Sequence, residues 1–311
     1  MIRLVSYRVL QAGLVAVMVG ALTFIMVRSL PGDMAFRIAA GRYGYDLVDG
    51  AAAEQVRREL GLDRPAIAAF ADWLWSMARF DLGVSLVSGV PVVVEIRHQL
   101  GHSVELAVVA ILLSMVLGPP IGVLAAIRPG GLFDRLVFVA TVGLRSLPQF
   151  VIGLLLIYGL SVHAGLLPAA GHGGARFTVL PALTLALGLA AVSSRIARDA
   201  TITVMASPYY RFGLTKGLPP GETFRRHGVR NIAVPVITYL GVQLVYLIEG
   251  VVVVETLFAW PGIGHALVHA IVARDVPMIQ GTALVMGLMF VVLNGLVDLV
   301  CHLIDPRRRA A

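Results

Sequence analysis

One cysteine in 311 residues, Cys301, leaves nothing to pair with inside the chain, and a lone thiol builds no metal centre. Its place in an apolar run suits a small buried side chain. Charge is also scarce. Only 14% of residues are Asp, Glu, Lys or Arg, against about 25% in soluble domains, whereas 58% are hydrophobic. The chain lacks a Gly-x-x-x-x-Gly-Lys-Ser/Thr loop, a His-Glu-x-x-His pair and a Gly-x-Ser-x-Gly elbow, so it carries no recognisable engine for nucleotide, peptide or ester hydrolysis. Its eight histidines are dispersed. His98 and His102 stand one helical turn apart, but no carboxylate or thiol stands out to complete a metal site, and none is assigned. There is no short-period repeat and no low-complexity tract.

What is present is long apolar segments. Six of them predict membrane spans at 9–27, 104–127, 136–160, 179–192, 232–258 and 279–304. All but the fourth reach the roughly 17–25 residues that cross a bilayer as helix. The fourth is short; it either extends through Ser193-Ser194 or lies deep within the bundle. Arg3 and Arg8 ahead of the first segment imitate a signal peptide. Arg28-Ser29-Leu30-Pro31 is a poor cleavage site, however, and the segment is read as a retained anchor. Pro119-Pro120 in the second span and Pro148 in the third predict kinks.

The basic residues set the orientation. Arg3, Arg8, Arg128, Arg135, the cluster from Arg195 to Arg230, and Arg307-Arg308-Arg309 fall on one side. The short loops opposite carry only Arg176 and Arg274. The basic side is the cytoplasmic one, so both termini are placed inside. The net charge of +7 is mostly this asymmetry. It does not indicate nucleic acid, because the charges are scattered over membrane-flanking loops without an aromatic platform.

This divides the chain into a cytoplasmic tail with the first span (1–28), an extracytoplasmic insertion (29–101) and a membrane core (102–311) whose cytoplasmic loop covers 195–231. Within the insertion, Glu54 to Leu60 suits a surface helix. Residues 66–80 have apolar side chains at helical spacing, with Trp73 and Trp75 either at the membrane–water interface or packing the insertion. Residues 90–100 begin the helix of the second span.

Residues 211–235 are polar and basic between two apolar segments. Arg211, Gly213, Lys216, Gly217, Arg225, Arg226, His227, Arg230, Asn231 and Pro235 are the candidate docking residues for a cytoplasmic partner. Gly217 permits a sharp turn or a close backbone approach, and Pro219-Pro220-Gly221 limits any helix on its other side. Two charges fall inside predicted spans. Arg145 lies about 14 Å from the start of the third at 1.5 Å per residue, and Glu249 lies in the fifth. A charge at membrane depth costs at least about 2.5 kcal/mol, so both are candidates to line a path, paired with each other or meeting the ends of a zwitterionic solute. Glu105 and Asp298, the latter one turn from Asn294, are expected to tie helices together.

Nearly end to end the chain resembles the permease subunits of ABC importers of the dipeptide/oligopeptide type. The likeness rests on Leu30-Pro31-Gly32-Asp33, Leu62-Asp63-Arg64-Pro65, Asp81-Leu82-Gly83-Val84-Ser85 and Pro91-Val92. It continues through Lys216-Gly217, Arg226-His227, Arg230-Asn231 and Val234-Pro235, then Glu255 to Gly264 with Trp260-Pro261-Gly262. Ala273-Arg274-Asp275-Val276-Pro277, Val297-Asp298 and Asp305-Pro306-Arg307 complete it. The resemblance implies an all-α integral membrane protein of six transmembrane helices, the type I ABC importer permease fold, with an external insertion after the first helix. It implies a bacterial inner-membrane, multi-pass location. It also implies that 211–235 is the EAA loop, whose short coupling helix sits in a groove of an ATPase. Gly217 matches the motif glycine, while Arg211-Phe212-Gly213 stands where Glu-Ala-Ala is the namesake.

The partners so implied are a second homologous permease, two cytoplasmic ATPases, an extracytoplasmic substrate-binding protein and the bilayer. No cofactor is assigned to this chain, and ATP and Mg belong to the ATPases. Trp260, Pro261, Gly262 and Asp275 become candidates for an external gate or receptor contact. Di- or oligopeptides are the implied cargo, with a nickel chelate, glutathione or haem as alternatives. Two rivals are a proton-coupled secondary carrier, for which Glu249 is the one argument but inverted repeats are not visible, and an intramembrane enzyme. The latter would need a third group beside Ser161 and His163.

Overall fold

The structure is a computed structural model that describes residues 2–29, 33–43, 49–59, 65–79 and 81–304. In chain order its helices are α1 (Ile2–Ser29), α2 (Met34–Tyr43), α3 (Gly50–Glu59), α4 (Ala66–Ala78), α5 (Val92–Ile127), α6 (Leu132–Ser146) and α7 (Gln149–Leu156). α7 continues as a wider π-helical turn, Ile157–His163. Then come α8 (Ala175–Ala206), α9 (Pro208–Thr215), α10 (Pro220–Thr223) with its own π-turn Phe224–Gly228, α11 (Val229–Leu257), α12 (Ile263–Ala273) and α13 (Val276–Ile304). Among the described residues the only extended pairing is an antiparallel bridge between Val84 and Pro91.

Among the described residues four helices are long and apolar enough to cross a membrane, at Ser6–Met26, Val92–Ile127, Ala175–Ala206 and Val276–Val297, and a bent pair supplies a fifth candidate. α11 covers the predicted span 232–258 with 29 residues. The fourth span is not short. It is the central part of the 32-residue α8, whose Thr184, Ser193, Ser194 and Thr201 are buried and donate their hydroxyls to carbonyls three or four residues back in the same helix. Those hydroxyls dilute hydropathy without needing water.

The third span is not one helix. α6 and α7 meet at 108° around Leu147-Pro148, where the pre-proline residue is extended. Pro119 and Pro120, by contrast, lie within an unbroken α5. There Gly118 and Gly122 press that helix onto Ala190, Ser193 and Ser194 of α8, leaving no room for a side-chain carbon.

By contact the chain forms two units. The first comprises residues 1–103 and 261–292. In it α2 and α3 pack against each other. Asp33 caps α2 through the Ala35 and Phe36 N–H groups and pairs with Arg57 of α3 at 2.7 Å. Trp73 packs against Gly20 of α1 and stacks on Phe70, whereas Trp75 is exposed beneath the Arg79 guanidinium. The second unit comprises residues 104–260 and 293–311. α8 is its axle, packing against α6, α7 and α11. Its core joins Leu106, Leu185, Val254, Phe258 and Trp260.

The sequence motifs at 30–32, 62–64 and 305–307, and Arg307-Arg308-Arg309, lie outside the described residues. So do the side chains of Arg3, Glu249, Asp298 and Cys301.

Candidate functional site

The predicted 195–231 loop is shorter than expected. α8 carries the chain to Ala206, and Arg230, Asn231 and Pro235 already belong to α11, which leaves 207–228 outside the long helices. Ser207 is extended and Pro208 opens α9, a position where the missing N–H costs nothing. α9 therefore starts ahead of Arg211, and Phe212-Gly213 lies within the helix rather than at its start. It closes as a Schellman motif: the Leu218 N–H reaches the Gly213 carbonyl, the Gly217 N–H reaches Leu214, and Gly217 sits at φ +85°. This is where the conformational freedom of glycine is required.

α9 has two faces. Tyr210 is buried in a cluster with Ala197, Val204, Ile232 and Val236. Gly213 is buried against Thr223 and His227, so α9 rests on the α10 turn. The opposite face shows Phe212 at 60% exposure, Tyr209, Arg211 and the turn residue Lys216, whose ammonium stands 4.7 Å over the Phe212 ring. Glu222 holds Arg226 at 2.7 Å, and Asn231 donates to the His227 carbonyl at 2.8 Å. Arg225, Arg226 and Arg230 are exposed, whereas His227 is half-buried. The result is a short helix mounted on two others, carrying an apolar tip ringed by cations.

A second feature lies at the α6–α7 break. A cleft of about 470 Å³ is lined by Arg145, Pro148 and Gln149 at the break, Gly188 of α8, and Gln243 and Gly250 of α11. Arg145, read as lying inside a continuous span, instead occupies the last turn of α6 and is exposed. Glu249 lies on α11 beside Gly250, and its side chain is outside the described residues. Gln149 and Gln243 carried no sequence signal, because neutral amides inside apolar runs leave hydropathy and charge patterns almost untouched.

The third feature joins motifs 190 residues apart within the first unit. Arg274 turns left-handed (φ 56°) to close α12, and Asp275 opens α13 by accepting the Met278 N–H. The other oxygen of Asp275 accepts the Ser85 hydroxyl at 2.5 Å, and Ser85 Oγ in turn accepts the Ser88 N–H. The 83–91 turn is thereby pinned, with Val84 and Val87 exposed. Of the residues expected to form an external gate or a receptor contact, Asp275 and Trp260 have no exposed surface to offer a receptor. Asp275 is buried in this knot, and Trp260, 1% exposed, packs edge-on against His172 at 4.9 Å. Pro261 follows Trp260, and Gly262 precedes α12, whose first N–H, that of Ile263, is capped by the Ser103 hydroxyl at 2.8 Å. The Trp260-Pro261-Gly262 run is thus helix-terminating architecture. Ala259 takes the left-handed turn (φ 48°) and the Trp260 N–H bonds back to the Glu255 carbonyl.

Comparison with known proteins places the chain in a family. Residues 118–310 match the family described as binding-protein-dependent transport system inner membrane component, and residues 1–83 match its N-terminal membrane component. A glutathione transport system permease protein of Pectobacterium atrosepticum is 38% identical over 288 residues, 93% of this chain and 92% of that one. A probable peptide ABC transporter permease protein of Sinorhizobium fredii is 36% identical over 303 residues, 95% of each chain. Among solved structures, an amino acid ABC transporter crystallised with histidines shares the fold, with a TM-score of 0.53 over 67% of this chain and 93% of that one, at 15% identity. The chain belongs to the binding-protein-dependent inner-membrane components, and is an all-α, multi-pass permease of an ABC importer.

Proposed function

We propose that this chain is one of two homologous permease subunits of an importer of short peptides. Two cytoplasmic ATPases that bind ATP and Mg drive it, and an extracytoplasmic binding protein supplies it. Family membership supports the general assembly. One named relative is assigned to peptides and another to glutathione, itself a tripeptide, which supports the cargo class. Both termini are cytoplasmic in this reading, as the arginine distribution argues.

The observation that carries the mechanism is α9. An exposed Phe212 on a helix whose back is fixed by Tyr210 and Gly213 is suited to seat in a groove and to pass on a push without buckling. ATP-driven closure of the ATPases moves α9. The cores of α8 and α11 follow because α9 rests against them, and the bundle exchanges inward- and outward-open states of different affinity for its partners. Arg145 and Glu249 line the translocation path. On the outer side, with Trp260 and Asp275 buried, the exposed valines of the 83–91 turn meet the receptor.

Lys216 is the only lysine in the chain. An amine-reactive crosslinker applied to the assembled complex should therefore mark α9 selectively. The reading expects Lys216 peptides joined to an ATPase, and expects Phe212→Asp to strip the ATPases during purification. No such crosslink, together with Phe212→Asp complexes that still import, would falsify it. Uptake of labelled di- and tripeptides against a nickel chelate and haem in proteoliposomes decides the cargo.

A further inference from the structure

The cleft at the α6–α7 break contains more than a lone arginine. α6 runs about 20 Å from Leu132 to Arg145 at a helical rise of 1.5 Å per residue. In a hydrocarbon core about 30 Å thick, that places the break at membrane depth. Arg145 has no acidic partner among the described residues, and a cation at such depth is costly unless something answers it. The first turn of α7 forms one wall of the cleft. The Gln149 and Phe150 N–H groups find no acceptor among the described residues, whereas those of Val151 and Ile152 return to the Pro148 carbonyl. Such a helix start attracts negative charge.

Two side-chain amides point to a ligand independently. Gln243 is 7% exposed, lines the cleft and makes no hydrogen bond among the described residues. Gln149 Oε1 is buried and unpaired there. The α11 wall is thinned to admit the Gln149 amide: a carbon on Gly250 would run into it. An unsatisfied buried amide oxygen costs about 1–3 kcal/mol, so Gln149 is held there against a penalty.

We infer that this cleft reads the C-terminal carboxylate of a peptide in transit. Arg145 and the α7 N–H groups receive the carboxylate. The Gln149 and Gln243 amides take the neighbouring peptide C=O and N–H. A space of 470 Å³ is within the usual size of small-ligand sites. The inference rests on the peptide-importer reading and adds the chemical group recognised inside the membrane. The competing role for Arg145 is to offset the negative end of α6, which would make it a brace indifferent to cargo.

The test uses the full transporter in proteoliposomes, with its receptor and ATPases, and one peptide offered as free acid or as C-terminal amide. The acid-to-amide uptake ratio is compared between variants, so that the receptor's own preference cancels. Arg145→Met should lower that ratio about tenfold or more, the scale of a charge-assisted hydrogen-bond pair. Arg145→Lys should retain part of the preference. Equal loss of both peptides, with the ratio unchanged, makes Arg145 a brace and overturns the inference. If Arg145→Met does not assemble, Gln243→Leu decides: uptake of both forms should fall with ATP hydrolysis intact, and unchanged uptake overturns the inference. A wild-type complex that hydrolyses ATP on receptor binding but moves neither peptide overturns the peptide reading, and the inference with it.

Discussion

Gly122 and Gly143 are both helix-interior glycines of the second unit, yet alanine should act on them with opposite sign. In either helix Gly→Ala gains about 0.8–1 kcal/mol of propensity. At Gly143 of α6 nothing lies within 4 Å of the added carbon, so that gain stands alone. At Gly122 of α5 the carbon would run into the Ser194 backbone carbonyl of α8, which cannot rotate away as a side chain would. Separating two packed helices to admit it costs about 1–3 kcal/mol, towards the upper end for a backbone clash. The net at Gly122 is then a loss of about 2 kcal/mol.

Gly118→Ala meets the Ala190 carbonyl at 2.8 Å and its Cα at 2.9 Å, and should behave as Gly122→Ala does. The double variant should lose less than the sum, because one displacement of α5 relieves both clashes. The assay is the thermal midpoint of the assembled transporter in detergent, followed by size-exclusion of a fluorescently tagged chain. The reasoning fails if Gly122→Ala and Gly143→Ala move the midpoint in the same direction, or if the double variant is fully additive.

Asp134 binds Arg198 through both oxygens, at 2.5 and 2.7 Å, and accepts the Gly130 N–H at 2.8 Å, while Arg198 also reaches the exposed Asp199. Asp134→Asn should cost about 1–3 kcal/mol, because the pair is only partly screened, and Asp199→Asn less than about 0.5 kcal/mol; the same midpoint measures both. Gly217→Val forces a β-branched residue to φ +85° at about 1–2 kcal/mol and should fray the end of α9, seen as lost receptor-stimulated ATP hydrolysis, whereas Gly217→Asn should be milder. Ser85→Ala removes the hydroxyl that Asp275 accepts. Cleavage by a protease added to the receptor-facing side should then appear within 83–90, with Ser85→Thr restoring protection.

Hydropathy alone located several of the long apolar helices. α1, α5 and α13 appear where their apolar runs are, and the start of α5 ahead of its span was legible at Val92, because apolarity at a surface is a property of local sequence. α8 was underestimated for a physical reason: its hydroxyls are satisfied within the helix, and its neighbours, not lipid, cover it. The motifs around Trp260 and Asp275 were also visible as residues, but their meaning was not. The αL turns and the Asp275 cap are local, but the Ser85 knot exists only when segments 190 residues apart come together.

The α6–α7 break and its cleft are the clearest division between the two kinds of information. A proline at 148 predicts a disturbance, and the chain says no more than that. Whether the helix bends slightly or turns by 108° depends on what packs beside it, and here the walls are α8 and α11. Gln149, Gly188, Gln243 and Gly250 share a surface only because three helices cross at that point. The sequence by itself determined that this is a helical membrane chain with a basic, partner-facing turn, since solvation of side chains is decided residue by residue. Only the tertiary structure decided which neutral amides are buried without partners, since that depends on what the rest of the fold places opposite them.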